Sequence, residues 1–560
     1  MLRPLWVWSL LIVLTVIAQG SMPAHSQASG PDRLLVVFRS DALPQNASDV
    51  VQRAGGTVAD RIPEIGVVVA ETIGIDTDTL ASRLRNDPAV LGVGPDKVVT
   101  QIGPSTVVED SVLPEWLPPG GSHPLPTFSP SLLQTPDFLY RNTPQQWAVK
   151  RIGAQGGGVP GGSGPGAWDV TFGAGVKIAV LDTGVSPDHP DIAPNLRFNV
   201  SLATSPLSDP STPVCDDGSP VDQSGHGTWT ASLAAGAKGA GTGLIIGVAP
   251  EAQILNIKVL RREPFGGPLP PSLDTPFNRC LFGTGTGLSS WVLAGIALAV
   301  EQGADVISMS LGDLVDRTGR SSGLGDVAVW SAYVRAINHA VAAGAVVVAS
   351  GGENGNGGTN VNNFGPFAHL PSDAPNAIAV VATTNPALLP PTPPPRQPCG
   401  AGEDCLAFYS NFGSRLRALA APGGDLPPGG CTFTGSCLAT GAIRGACSPG
   451  PMGTLPGLPK DGRSFGCFTL GTPTQNPPFA SQHAWYVQAN GTSAAAAIVA
   501  GVAALVRAAN PQLTPSQIRT ILQRTADDIG RVGYDQLFNF GLVNACRAVS
   551  VASNTPIACP

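Results

Sequence analysis

The sequence predicts an α/β fold: a doubly wound, mostly parallel sheet with helices on both faces, preceded by a small α/β domain. Three observations carry this expectation. Continuous apolar runs recur along the chain, as strands buried on both faces require. Helix-length segments alternate with them, the order expected of a covered parallel sheet. A shorter group of such runs near the N-terminus is set apart by a Pro-rich stretch.

In chain order, Arg3 precedes an apolar core from Leu5 to Ala18, and Ser26-Gln27-Ala28 supplies small residues for cleavage. This is the pattern of an export signal over 1–28, so a secreted protein (extracellular or cell-envelope) is expected. The competing reading, an uncleaved anchor, needs roughly 20 apolar residues, more than this run supplies. Ala494 to Val506 is also apolar, but short and rich in small residues, as suits a buried helix. No stable membrane span is therefore expected after signal removal.

Residues 33–101 read as the small domain. Leu34 to Phe38 (LLVVF) and Gly66 to Ala70 (GVVVA) are strand-like. Ala47 to Ala54 predicts a helix ended by Gly55-Gly56. Thr79 to Asn86 predicts a second, with Leu80 and Leu84 at i, i+4 spacing. Val90 to Val93 and Lys97 to Thr100 are expected to complete one small sheet. Residues 103–146 are rich in Pro and Ser and read as a linker.

From 147 to 550 the pattern is that of the larger sheet. Its strands are expected at Val176–Leu181, Gln253–Leu260, Asp305–Leu311, Gly344–Ala349 and Ala377–Ala382. Helices are expected at Ser289–Gln302, Val327–Ala343 and Thr492–Ala508. Two loop-rich stretches, 261–287 and 385–485, interrupt the scheme. Six of the ten cysteines fall between 399 and 467, so the second stretch reads as a disulfide-stapled insertion. No CxxC pair supports a zinc ribbon.

Composition narrows the function. The 560 residues include 69 Gly and 55 Pro, which disfavours a coiled coil or plain helical bundle. No three-residue Gly period supports collagen. Net charge is −7 without a long basic run, so no nucleic-acid partner is expected.

Three segments carry chemistry. VLDTGVSPDHPDI places Asp182 at the end of a buried strand, SGHGTWTASLAAG places His226 at a helix start, and NGTSAAAAIVAGVAALV places Ser493 at another. A neutral Ser hydroxyl needs an imidazole to take its proton. A carboxylate then fixes the imidazole tautomer and stabilises the imidazolium. Ser493 at a helix N-terminus adds free N–H groups that favour an oxyanion.

In the order Asp, His, Ser, these segments resemble the signature of the subtilisin-like serine proteases. GVAPEAQILNIKVL, VISMSLG, YSNFGSRLRALAAPG and FGLVNACRAV extend the resemblance over most of 147–550. It implies a serine endopeptidase with catalytic Asp182, His226 and Ser493. It also implies that Ser310, Leu311 and Gly312 pair with substrate backbone. Residues 33–101 resemble the family's propeptide, which implies an intramolecular inhibitor and folding aid, removed by the enzyme itself. The partners expected are thus protein or peptide substrates and the chain's own propeptide. The mature N-terminus is expected just after about Gln101 or within the linker.

The family supplies an Asn side chain to the oxyanion, in a segment resembling AAGN. Here the strand runs into Ser350-Gly351-Gly352-Glu353-Asn354. Strict register puts Glu353 at that position; one extra residue puts Asn354 there. An ionised carboxylate would repel the oxyanion, so Asn354 is expected to be the donor. After His226 the usual His-Val becomes Trp229-Thr230, with Trp229 read as core. His369, in a loop, is a candidate for the first side-chain pocket, with ordinary loop packing as the competing reading. No cofactor is required for the chemistry and no metal ligand is assigned. Structural calcium near Asp191 is possible by resemblance; Asp188 and Asp191 alone read as a turn, since calcium takes about 6–8 oxygens. A catalytically dead scaffold or binding protein on this fold, and a peptide ligase or macrocyclase sharing the acyl-enzyme, are the alternatives.

Overall fold

Strand β1 (Arg33–Phe38) is an unbroken apolar run because both its faces are covered. The computed structural model describes residues 33–102, 137, 140–141, 146–156, 164–318 (apart from 209, 241, 270, 273 and 282), 326–353, 358–385, 404–424, 442–448, 468–469 and 485–559. The expected export signal and most of the expected linker lie outside the described residues. In the small domain, helix α1 (Ala47–Ala54) ends at Gly55, whose φ of 97° suits glycine. Strands β2 (Gly56–Ile62) and β3 (Val67–Thr72), helix α2 (Thr77–Arg85) and strand β4 (Val90–Pro95) follow. Asp76 caps α2 by accepting the Thr79 N–H at 2.8 Å. The sheet order is β2-β3-β1-β4. Leu34, Val36 and Phe38 face α1 and α2, while Leu35 and Val37 face the larger domain.

Strand β5 (Val98–Gln101) corrects one expectation. It does not complete the small sheet but crosses into the larger domain and pairs there. A second correction concerns the end of the predicted linker. Tyr140 is fully buried in the main core, and the Gln146 side chain exchanges two 2.9 Å hydrogen bonds with the Ile246 backbone.

Helix α3 (Trp147–Arg151) precedes the main sheet. Its first strands are β6 (Lys177–Asp182) and β7 (Leu196–Ser201); helix α4 (His226–Ala235) and strand β8 (Gln253–Lys258) follow. The stretch expected as loop, 261–287, contains β9 (Arg261–Glu263), α5 (Pro276–Leu281) and most of β10 (Thr284–Leu288). Next come α6 (Ser289–Glu301), β11 (Val306–Met309), β12 (Leu311–Asp316), α7 (Val327–Ala342), β13 (Val346–Ser350), β14 (Phe367–Leu370), β15 (Ala377–Thr383) and β16 (Leu419–Pro422). Strands β17 (Ile443–Cys447), β18 (Phe468–Thr469) and β19 (Trp485–Ala489) form a small antiparallel sheet in and beside the insertion. Helices α8 (Thr492–Ala509), α9 (Pro515–Thr525) and α10 (Ala545–Ser553) close the chain.

The seven-stranded sheet runs β16-β15-β13-β11-β6-β8-β7, with every described pair parallel. Alternate residues explain the apolar runs. Ile178 and Val180 of β6 join the core that contains α4 and α8; Ala179 and Leu181 join the one that contains α6 and α7. Helix α8 is mostly buried, as expected of a core helix. After β6 the chain forms the edge strand β7, comes back to fill the gap with β8, and then passes to the other side of β6 through β11. The carboxyl ends of β6 and β11 thus flank the point where the order reverses, where open α/β sheets place ligand sites.

Cys215 and Cys280 form a disulfide, as do Cys546 and Cys559. Cys405 and Cys447 of the insertion are also disulfide-bonded. Most of the insertion lies outside the described residues.

Candidate active site

Asp182 is the last residue of β6, His226 the first of α4, and Ser493 the second of α8. Packing α4 and α8 on one face of the sheet brings the three side chains together. His226 Nδ1 lies 2.7 Å from Asp182 Oδ1, and His226 Nε2 lies 3.0 Å from Ser493 Oγ. All three residues are buried. Burial pulls the His226 pKa down, but the charge and hydrogen bond of Asp182 outweigh it and leave it above 6.5.

A surrounding network fixes this geometry. Asp182 Oδ1 accepts the Thr183 N–H at 2.7 Å, and Oδ2 accepts the Thr230 hydroxyl at 3.0 Å. Buried Asp222 accepts the N–H groups of Ser224, Gly225 and Thr228 and the hydroxyls of Thr183 and Thr228. It thereby ties the start of α4 to the end of β6. Thr230 and Asp222 were missed by sequence reasoning; DQSGHGT offered the second as a polar residue just before a helix start. Trp229 is core, as expected, with its Nε1–H donating to the Ile443 carbonyl at 3.2 Å.

Strand β5 lies in the cleft between β10 and β12, antiparallel to both. Leu311 and Gly312 stand opposite Gln101 and Thr100. The Ser310 carbonyl accepts the Ile102 N–H at 3.0 Å and lies 3.5 Å from Ser493 Oγ. The Ile102 carbonyl oxygen is 3.2 Å from His226 Nε2. The expected backbone-pairing residues therefore hold an extended strand, and that strand is the chain's own. Gln101 Oε1 accepts the Ser224 hydroxyl at 2.9 Å and the Gly285 N–H at 3.0 Å. A Cβ on Gly285 would stand 2.4 Å from that oxygen. Nothing in the sequence pointed to β10 as the other wall of the cleft.

His369 is on β14 rather than in a loop, opposite Leu314 of β12. A Cβ on Gly312 or Gly352 would come within 2.4 and 2.9 Å of its ring, so the imidazole fills the space between them. Burial lowers its pKa to about 4, so the ring is neutral. Asn354 lies outside the described residues. Glu353 is described: its Oε1 accepts the Thr492 N–H at 2.5 Å and the Thr492 hydroxyl at 3.1 Å, beside Ser493.

The surroundings of Asp191 do not fit calcium. Its Oδ1 accepts the Gly243 N–H at 2.7 Å and its Oδ2 the Tyr486 hydroxyl at 3.1 Å, so donors rather than oxygen ligands meet it. Burial pushes its pKa up to about 8. Asp188 is exposed. Among the described residues no three His, Cys, Asp or Glu side chains converge to hold a metal.

Comparison with known proteins agrees with this architecture. The subtilase family pattern matches residues 173–541, and the fervidolysin N-terminal prodomain pattern matches residues 19–96. The chain is 29% identical to thermitase of Thermoactinomyces vulgaris over 69% of its length and 92% of thermitase. It is 31% identical to an intracellular serine protease of Paenibacillus polymyxa, over 50% of this chain and 68% of that one. Its fold is similar to that of fervidolysin from Fervidobacterium pennivorans, with a TM-score of 0.56 at 22% identity, over 94% of this chain. The chain spans 61% of the fervidolysin chain. A family match over most of the sequence, on a parallel sheet whose switch point gathers an acid, an imidazole and a hydroxyl, leads to one conclusion: this chain belongs to the subtilase family and is a serine endopeptidase.

Proposed function

We propose that the chain is an exported endopeptidase zymogen that cleaves itself after Ile102 and then hydrolyses protein or peptide substrates in the same cleft. The observation that carries this reading is the seat of Ile102. Its N–H and the Ser493 hydroxyl share the Ser310 carbonyl, and its carbonyl oxygen and that same hydroxyl share His226 Nε2. The expected cut near Gln101 thus moves one residue on.

Ser493 Oγ attacks the Ile102 carbonyl carbon while His226 Nε2 takes its proton. Asp182 holds the imidazole by Nδ1 and stabilises its positive charge. The tetrahedral intermediate collapses, the amine of residue 103 leaves with the proton from His226, and an acyl-enzyme remains. Water, deprotonated by His226, then attacks the ester and frees the Ile102 carboxyl. The export signal and paired cysteines support maturation outside the cytosol.

The test is intact-mass and N-terminal analysis of the exported wild type and Ser493→Ala. The expected result is a wild-type N-terminus at residue 103 and an uncut mutant. If both chains keep residues 33–102, cleavage in cis is wrong, and a scaffold reading gains. A fused product with a supplied amine, in place of hydrolysis, would favour a ligase.

A further inference from the structure

We propose that the carboxyl of Glu353, protonated on Oε2, donates the side-chain hydrogen bond to the oxyanion that forms when Ser493 attacks a peptide carbonyl, alongside the Ser493 N–H. This rests on the endopeptidase reading above. It replaces the expected Asn354 by a residue whose place in the fold is known.

Acyl transfer needs preorganised donors where negative charge develops. Ser493 lies in the first turn of α8, where backbone N–H groups have no partner within the helix. The neighbouring Thr492 N–H is already taken by Glu353. Glu353 follows directly on β13 through Gly351-Gly352, and the turn is fixed by the segment carrying Ser410 and Asn411. The Gly352 carbonyl accepts the Asn411 N–H at 3.0 Å, and Glu353 itself bridges to Ser410. Its side chain is therefore held at the mouth of α8 rather than swinging in solvent.

The pattern of its hydrogen bonds leaves room for a proton on the other oxygen. Both Thr492 donors fall on one oxygen, Oε1, which acts as the carbonyl oxygen. Oε2 is left to carry the proton. The residue is half-buried, and desolvation favours this form and raises the pKa to about 7, against the lowering effects of the Thr492 bonds and of His226. Among the described residues the groups shown to act on it are few. Thr492 binds it from α8, and the charge of His226, on α4, acts on it. Neutral His369 of β14 lies beneath Gly352, and Ser410 and Asn411 lie opposite. Among the described residues no lysine or arginine pairs with it. An ionised Glu353 would repel the oxyanion, so turnover requires His226 neutral and Glu353 protonated together. The rate is therefore limited on the acid side by His226 and on the alkaline side by Glu353.

The test is the rate of self-cleavage after Ile102, measured from pH 5.5 to 9 by intact mass. The full-length chains are wild type, E353Q, E353A, N354A and S493A. Gln carries an N–H donor that does not titrate. The wild-type rate is expected to fall tenfold per pH unit above about 7, whereas E353Q holds a plateau to pH 9. At pH 8.5 E353Q then exceeds wild type by about 30-fold. E353A is expected to be slower by about 10²–10³ near pH 7, with N354A within threefold of wild type. Circular dichroism and melting of the uncut chains separate misfolding from lost chemistry. The assignment is overturned if wild type and E353Q share one alkaline limb, or if E353A matches or exceeds wild type. It is equally overturned if N354A alone shows the large loss. Those results leave the endopeptidase reading standing. Wild type as inert as S493A at every pH overturns both.

Discussion

Asp191→Asn is expected to stabilise the protein at alkaline pH and to do little at acid pH. The folded carboxyl releases its proton near 8, the unfolded one near its ordinary 3.8. Between those values the folded state holds the extra proton, so stability falls as pH rises, and the loss is complete above about 8. At 1.36 kcal/mol per pH unit the ceiling is about 6 kcal/mol. Asparagine keeps the acceptor for the Gly243 N–H but gives up one favourable arrangement with Tyr486, a loss of about 1 kcal/mol. The net gain is then about 5 kcal/mol at pH 8.5, and at pH 4 the change is a loss of under about 1 kcal/mol. The assay is urea unfolding of the uncut Ser493→Ala chain, with and without D191N, at both pH values and with a chelator present. A variant less stable than its parent at pH 8.5 would refute the reasoning. Should added calcium also protect the parent alone, Asp191 is a calcium ligand after all.

Thr230→Val removes the hydroxyl from Asp182 Oδ2, a bond to a charged group worth about 1.5 kcal/mol or more, so kcat should fall about tenfold with KM unchanged. Thr230→Ser should restore the rate; loss of stability without loss of kcat would show that the hydroxyl serves the Gly227 carbonyl, 3.1 Å away, instead. Asp182→Asn removes the charge that raises the His226 pKa, so the acid limb of the rate profile should move below pH 6.5 as burial takes over; an unmoved limb would assign it to another group. Gly285→Ala should slow self-cleavage by about tenfold or more, because its methyl would meet both Gln101 Oε1 and Thr183 Cγ2; an unchanged rate would mean that Gln101 is not seated there during cleavage.

The parallel strands were legible because burial on two faces leaves mostly apolar residues, with polar ones chiefly at the ends, in β6, β8, β13 and β15. Strand β2 (GTVADRI) was missed because its exposed face interrupts the run. Strand β5 was readable as a strand but not by its partners, which lie almost 190 and more than 200 residues further on, beyond the reach of any local pattern. The acid, imidazole and hydroxyl were legible because each ends or begins an element with a strong signal of its own. Thr230 was hidden as an ordinary helical residue. Asn354 was ranked above Glu353 on the charge of the carboxylate alone, since a one-residue change in a Gly-rich turn leaves no trace in composition. His369 reads as loop because its short strand stops at a proline.

The placement of β5 has a kinetic consequence. Cutting after Ile102 would not empty the cleft, for the small domain holds on elsewhere. Arg335 of α7 donates to the carbonyls of Phe38, Ser40 and Ile65, and Asp96 accepts both the N–H and the hydroxyl of Ser290 at the start of α6. Before the cut, residues 98–102 meet the cleft at an effective concentration in the millimolar range for a tethered segment, which a free peptide must match to compete. After it, two docking surfaces must let go together. On the zymogen reading, onset of activity is timed by departure of the small domain rather than by scission, and a preparation should show a lag that shortens as the first liberated molecules degrade the domains still bound to others.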